Sequence, residues 1–148
     1  MDDRLDDLLD DLLMTNAKRS SKLLIFDSRQ YLYCVYRAPG AWTNANSLSF
    51  VGADGDTIDG VLRQVREKFR LDTEANDWSV LGTVPNPADN EINTIWKFAR
   101  PIDSLLFSPA AYGGLLCVKP SALRLFDKML SPALLSVMRA MPHLFEDR

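Results

Sequence analysis

From Asp56 to Leu71 the hydrophobic residues recur at helical period, and strand-like segments lie on both sides of this stretch. Ile58, Leu62, Val65 and Phe69 stand at i, i+4, i+7 and i+11, with Val61 beside them, the stripe of an amphipathic helix. Its polar side carries Arg63, Gln64, Arg66, Glu67, Lys68 and Arg70. Asp56 or Thr57 is the predicted N-cap, with Asp59 near the first-turn amides. Before it, the apolar run Leu23–Phe26 reads as a strand buried on both faces, and Asp27-Ser28-Arg29-Gln30 as a turn. Tyr31–Arg37 alternates like a strand with one exposed face. Pro39-Gly40 breaks the pattern before Trp42, and residues 47–56 read as a short strand running into a Gly/Asp loop. After it come strand-like segments at 78–85, 92–101 and 115–120, then helical stretches at 121–130 and 132–145. One striped helix between strands can bury its apolar face only against a sheet, which makes the chain α/β or α+β in class.

The N-terminus is a separate unit. Leu5, Leu8, Leu9, Leu12 and Leu13 form a stripe at i, i+3, i+4, i+7 and i+8, with aspartates on the other face. The spacing predicts an acidic amphipathic helix over residues 1–14. A helix of that length is marginal alone, so its leucines must dock on the domain itself, on a protein partner or on a second copy. Residues 1–13 hold six Asp and one Arg, a net −5, which leaves about +2 on the rest of a chain whose formal charge is −3. An acidic polar face argues against DNA and against an anionic membrane. Residues 15–22 are polar and basic and read as a linker, so the expected division is helix 1–14, linker 15–22 and domain 23–148.

With 148 residues and 47% hydrophobic side chains, the chain is long enough for one core without metal or disulfide staples. Cys34 and Cys117 each lie in an apolar run, and with His143 as the lone histidine no Cys/His zinc cluster can form; free thiols in a reducing compartment are expected. The acidic start does not resemble a basic leader, and the weakly polar stretch 104–118 is too short and too rich in Gly and Pro to span a bilayer. The expected location is cytoplasmic. No nucleophile elbow, P-loop or dinucleotide fingerprint occurs. Trp42, Trp78 and Trp96 could stack on a base, but their wide spacing fits core packing better.

From about Lys22 to Phe145 the order of parts resembles the Nudix hydrolase family. That family carries a loop-plus-helix signature: Gly, five residues, Glu, seven residues, then Arg-Glu-aliphatic-any-Glu-Glu-any-Gly-aliphatic. Here Arg63-Gln64-Val65-Arg66-Glu67-Lys68-Phe69-Arg70-Leu71 aligns with the second half. Arg63, Val65, Glu67 and Leu71 fit. Gln64 and Lys68 stand where glutamates belong, and Arg70 where the Gly belongs. Upstream, Gly52 or Gly55 stands in for the first Gly and Asp56 for its Glu, with a shortened loop. The resemblance implies a Nudix-like α/β/α sandwich with a mixed sheet and, in an active member, Mg²⁺ or Mn²⁺ held by carboxylates against a diphosphate.

The departures fall on the chemistry. Gln64, Glu67 and Lys68 lie at i, i+3 and i+4 and share one helix face. Hard divalent ions want charged oxygen ligands, and this face goes from about three negative charges to roughly zero. The leading expectation is therefore a Nudix-like domain with a degraded metal site and no cofactor. It would act as a protein-binding, assembly or regulatory module through Leu5, Leu8, Leu9, Leu12 and Leu13. A second reading is a divergent metal-dependent hydrolase of nucleoside diphosphate-linked substrates, with Glu67 catalytic and Asp54, Asp56 and Glu67 as ligands, helped by Asp59. These aspartates also read as turn and cap residues. A third is nucleotide or RNA-end binding without hydrolysis, in which Arg63 and Arg66 take the phosphates; the same basic residues also read as a solvated face.

Overall fold

The computed structural model describes residues 16–37, 47–105 and 114–146. The acidic helix expected over 1–14, the Pro39-Gly40 break and Trp42 lie outside them. Six strands form one mixed sheet: β1 (Lys18–Leu24), β2 (Leu32–Arg37), β3 (Ser47–Asp54), β4 (Trp78–Asn86), β5 (Glu91–Phe98) and β6 (Gly114–Val118). Their spatial order is β4-β5-β1-β3-β2-β6. β1 runs parallel to β5, and every other neighbouring pair is antiparallel.

Alternation along β1 sends its side chains to two separate cores. Leu23 points to a cluster with Val35, Val51, Trp96 and Val61, Val65 and Phe69 of helix α1 (Ile58–Phe69). Leu24 points to the opposite cluster, with Cys34, Phe50, Ile95 and Leu134 and Val137 of helix α2 (Pro132–Ala140). The sheet is thus sandwiched between helices, the expected α/β/α arrangement. Leu23, Leu24 and Ile25 are all fully buried, each contributing about 1.5–3 kcal/mol of hydrophobic stabilisation. No helix among the described residues is long and apolar enough to cross a membrane.

Three local expectations are corrected. Residues 18–22, assigned to a linker over 15–22, open β1. Their polar composition is overridden by pairing on both sides, Lys18–Leu24 with Glu91–Lys97 and Ser20–Leu23 with Val51–Asp54, since neighbours rather than propensity decide strand formation. β2, expected to have one exposed face, is buried on both faces from Leu32 to Val35, because the two clusters cover both sides of the sheet. Residues 120–129 form 3-10 turns broken at Phe126 instead of a regular helix. Only Leu123 of that stretch is buried, while Leu125 is 82% exposed, so little packing supports a continuous helix.

Helix α1 is bounded by its local sequence. Thr57 is the N-cap, its hydroxyl accepting from the Gly60 amide at 3.2 Å, with Asp59 in the first turn. At the other end Arg70 takes φ 52°, a left-handed conformation, and its N–H closes the last turn on the Arg66 carbonyl. Glycine is the residue that takes this position without strain, which gives the signature's Gly a physical reason; nothing in the structure explains the Arg. Replacing Arg70 with Gly should raise stability by about 0.5–1 kcal/mol in chemical denaturation. A loss of stability would contradict a strained helix end.

Candidate functional site

The polar face of α1 closes against the end of β3. Gln64 is buried and its side-chain amide is clamped to one residue: the Asp54 N–H donates to Gln64 Oε1 at 2.8 Å, and Gln64 Nε2 donates to the Asp54 carbonyl at 2.9 Å. The side chain extends the β3 ladder by one peptide-like unit. A carboxylate could accept the first bond but not donate the second, and would face the Asp54 carbonyl oxygen. One turn on, Lys68 Nζ donates to the Gly52 carbonyl at 3.3 Å. The two signature glutamate positions that are changed here, 64 and 68, are therefore occupied by donors spent on the β3 backbone.

An open depression over this face is lined by Asp54, Arg63, Gln64, Glu67 and Lys68, among others. It gathers two of the three proposed ligands. Asp54 pairs with Lys18 at 3.4 Å, Asp56 is exposed in the loop outside the lining, and Glu67 is exposed. Among the described residues no three His, Cys, Asp or Glu side chains come close enough to hold a metal ion. The donor set of this face, one exposed carboxylate, one salt-bridged carboxylate, a committed amide and an ammonium, does not fit a hard divalent cation. Of the two arginines proposed for phosphate, Arg63 lines the depression, whereas Arg66 turns to Asp72 at 2.9 Å. They do not converge.

The loop between β3 and α1 is fixed from behind. The Trp96 indole donates to Ser21 Oγ at 3.0 Å, and Ser21 Oγ donates to the Gly55 carbonyl at 2.7 Å. The Trp78 indole donates to Thr73 Oγ1 at 3.0 Å, and its ring lies 5.0 Å from Phe98. Trp78 and Trp96 are core residues with satisfied N–H groups, as their spacing suggested, and offer no face for stacking. Cys34 and Cys117 are free, as expected. Burial, with Cys117 nearby, pushes the Cys34 thiol up to about 12, so it is not a nucleophile at neutral pH.

Sequence reasoning passed over a second, deeper feature. A cavity of about 330 Å³ adjoins the depression and shares Asp54 and Lys68 with it. Lys18, Lys22, Arg37 and Lys68 line it, facing Asp54, Asp89 and Glu91. Lys22 is only 13% exposed and meets Glu91 at 3.9 Å. Burial pushes its ammonium down from the ordinary lysine range. Glu91 opposes this, Arg37 adds to it, Asp89 opposes and Lys18 adds. The signal for this cavity was the alternation Lys18-Ser20-Lys22, which puts three polar side chains on one face of β1; assigning them to a linker concealed it.

No protein-family model and no curated protein matches this sequence. Solved structures do. The MutT protein of Methanosarcina mazei Go1 superposes with a TM-score of 0.67 at 15% identity, over 88% of this chain and 96% of that one. The Nudix hydrolase RenU from M. smegmatis gives 0.58 at 14%, over 86% and 85%. The C-terminal domain of mouse MUTYH, solved in complex with human PCNA, gives 0.59 at 14%, over 85% and 88%. At such identities the likeness is one of architecture, and it agrees with the mixed sheet, the two helical layers and the position of α1: the chain has the Nudix hydrolase fold.

Proposed function

We propose that this chain is a Nudix-fold binding module whose box face no longer supports metal-dependent hydrolysis. The observation that carries the reading is the double commitment of Gln64 and Lys68 to the backbone of β3. Hydrolysis by a bound metal needs charged oxygens to hold the ion, polarise phosphorus and activate water. Gln64 contributes a carbonyl oxygen already taken by an amide, and Lys68 contributes a positive charge. The remaining carboxylate, Glu67, is exposed and stands beside that charge in sequence.

The partner side of the proposal rests on residues 1–13, which lie outside the described residues. Their stripe of Leu5, Leu8, Leu9, Leu12 and Leu13 requires an apolar surface, and a protein partner or a second copy supplies one. The MUTYH domain, a neighbour in fold, was solved on a protein partner, which supports protein binding as a use of this architecture. The competing reading is a divergent hydrolase built on Glu67 with Asp54 or Asp56, favoured by the hydrolases among the structural neighbours.

Calorimetry with Mn²⁺, with and without a non-hydrolysable nucleoside diphosphate, separates the two. The wild-type chain should show no micromolar binding under either condition. A Gln64→Glu/Lys68→Glu variant should gain Mn²⁺ affinity while losing about 1–3 kcal/mol of stability, because the Asp54 carbonyl loses its donor. Micromolar binding by wild type that Glu67→Gln removes would establish the hydrolase reading instead. For the partner role, Leu8→Asp with Leu12→Asp should abolish association in sedimentation or pull-down while leaving the circular dichroism spectrum unchanged. Association undiminished in that variant would overturn docking through this segment.

A further inference from the structure

We infer that the cavity beside the box face is a metal-independent phosphate site, in which the ammonium groups of Lys22 and Lys68 do the charge neutralisation that a divalent ion would otherwise supply. This rests on the proposed loss of the metal site. Two elements bring the two lysines to the wall of one cavity, on either side of Gly52. Lys22 on β1 is the register partner of Gly52 on β3, and a Cβ at Gly52 would lie 3.9 Å from Lys22 Nζ. Lys68 arrives from α1 and reaches the carbonyl of the same glycine at 3.3 Å. The missing side chain at Gly52 leaves space beside the Lys22 ammonium.

Charge favours an anion there. Four cationic side chains face three carboxylates in the cavity wall. Lys18 is paired with Asp54 at 3.4 Å, Lys22 has only a loose contact with Glu91 at 3.9 Å, and Lys68 bonds a neutral carbonyl. Burial disfavours the charged form of the Lys22 ammonium more than the carboxylates of Glu91 and Asp89 restore it. An anion entering the cavity would supply what is missing. The volume, about 330 Å³, lies at the small end of ligand pockets, which run from about 300 to 1,000 Å³. It suits a phosphate group with its first waters. Ammoniums from different elements match a multi-oxygen dianion better than a single carboxylate, since each can take its own oxygen.

The test is calorimetric titration of inorganic phosphate, and separately of AMP, into the full chain in EDTA at low salt. Binding in the millimolar range or tighter is expected. It should weaken with added NaCl and be unchanged when Mg²⁺ replaces EDTA. Lys68→Met, at a half-exposed position, and Lys22→Met should each reduce affinity by about tenfold or more, with folding verified by circular dichroism. Equal affinity for both anions identifies phosphate itself as the ligand. Markedly tighter AMP binding identifies the phosphate end of a nucleotide. No binding of either anion, with or without Mg²⁺, would overturn this inference and leave the proposed function standing, as would affinity unchanged in both lysine variants. Binding that requires Mg²⁺ would overturn both.

Discussion

The Gln64 side chain holds the functional end of the molecule together. Its amide bonds both backbone groups of Asp54, so the central turn of α1 is fastened to the last residue of β3 as though to another strand. Each bond contributes about 1 kcal/mol net, but the asymmetry matters more, because stranding either partner in a buried site costs about 1–3 kcal/mol. That fastening sets the height of α1 over the sheet, and with it the reach of Lys68 to Gly52. The loop from Gly55 to Thr57 is held from the opposite side by Ser21 and Trp96. The polar face of α1 is thereby a structural joint. The same joint makes the clamp selective for glutamine, since only a group with both a donor and an acceptor completes it.

Electrostatics follow from this geometry. With an amide and an ammonium on the inner face of α1, the carboxylates lining the depression are Asp54, salt-bridged to Lys18, and the exposed Glu67. The neighbouring cavity carries the surplus of positive charge, centred on a lysine that burial already disfavours. The Nudix fold is retained, with Lys18, Lys22, Arg37 and Lys68 on the wall of the cavity beside α1.

Much of this was legible in the residues. The switch from period two to period 3.6 and back located β3, α1, β4 and β5, and the unbroken run Leu23–Phe26 marked a buried strand, of which Leu23, Leu24 and Ile25 are fully buried. The departures at Gln64 and Lys68 were legible too, because residue type alone shows an amide and an ammonium at those positions. What could not be read was where each polar group would spend its hydrogen bonds. Gln64 looked like a surface residue until the end of β3 lay against it. Lys18–Lys22 looked like a linker because strand pairing on both sides leaves no mark in composition. Tyr31–Arg37 reads as a strand with one exposed face, yet all of Leu32–Val35 is buried, since the covering layers come from remote parts of the chain. The pairing of Arg66 with Asp72, which removes it from a two-arginine phosphate site, depended on how the chain leaves α1 through the left-handed Arg70.

The most direct measurement of the central claim is Mn²⁺-induced line broadening in the amide NMR spectrum of the isotope-labelled full chain. A joint in place of a metal site predicts that low micromolar Mn²⁺ leaves the amides from Gly52 to Lys68 no more affected than the rest of the domain, with Gln64 side-chain protons still protected from exchange. Broadening focused on that stretch and abolished by Glu67→Gln would show a divalent ion seated on α1 and contradict the account.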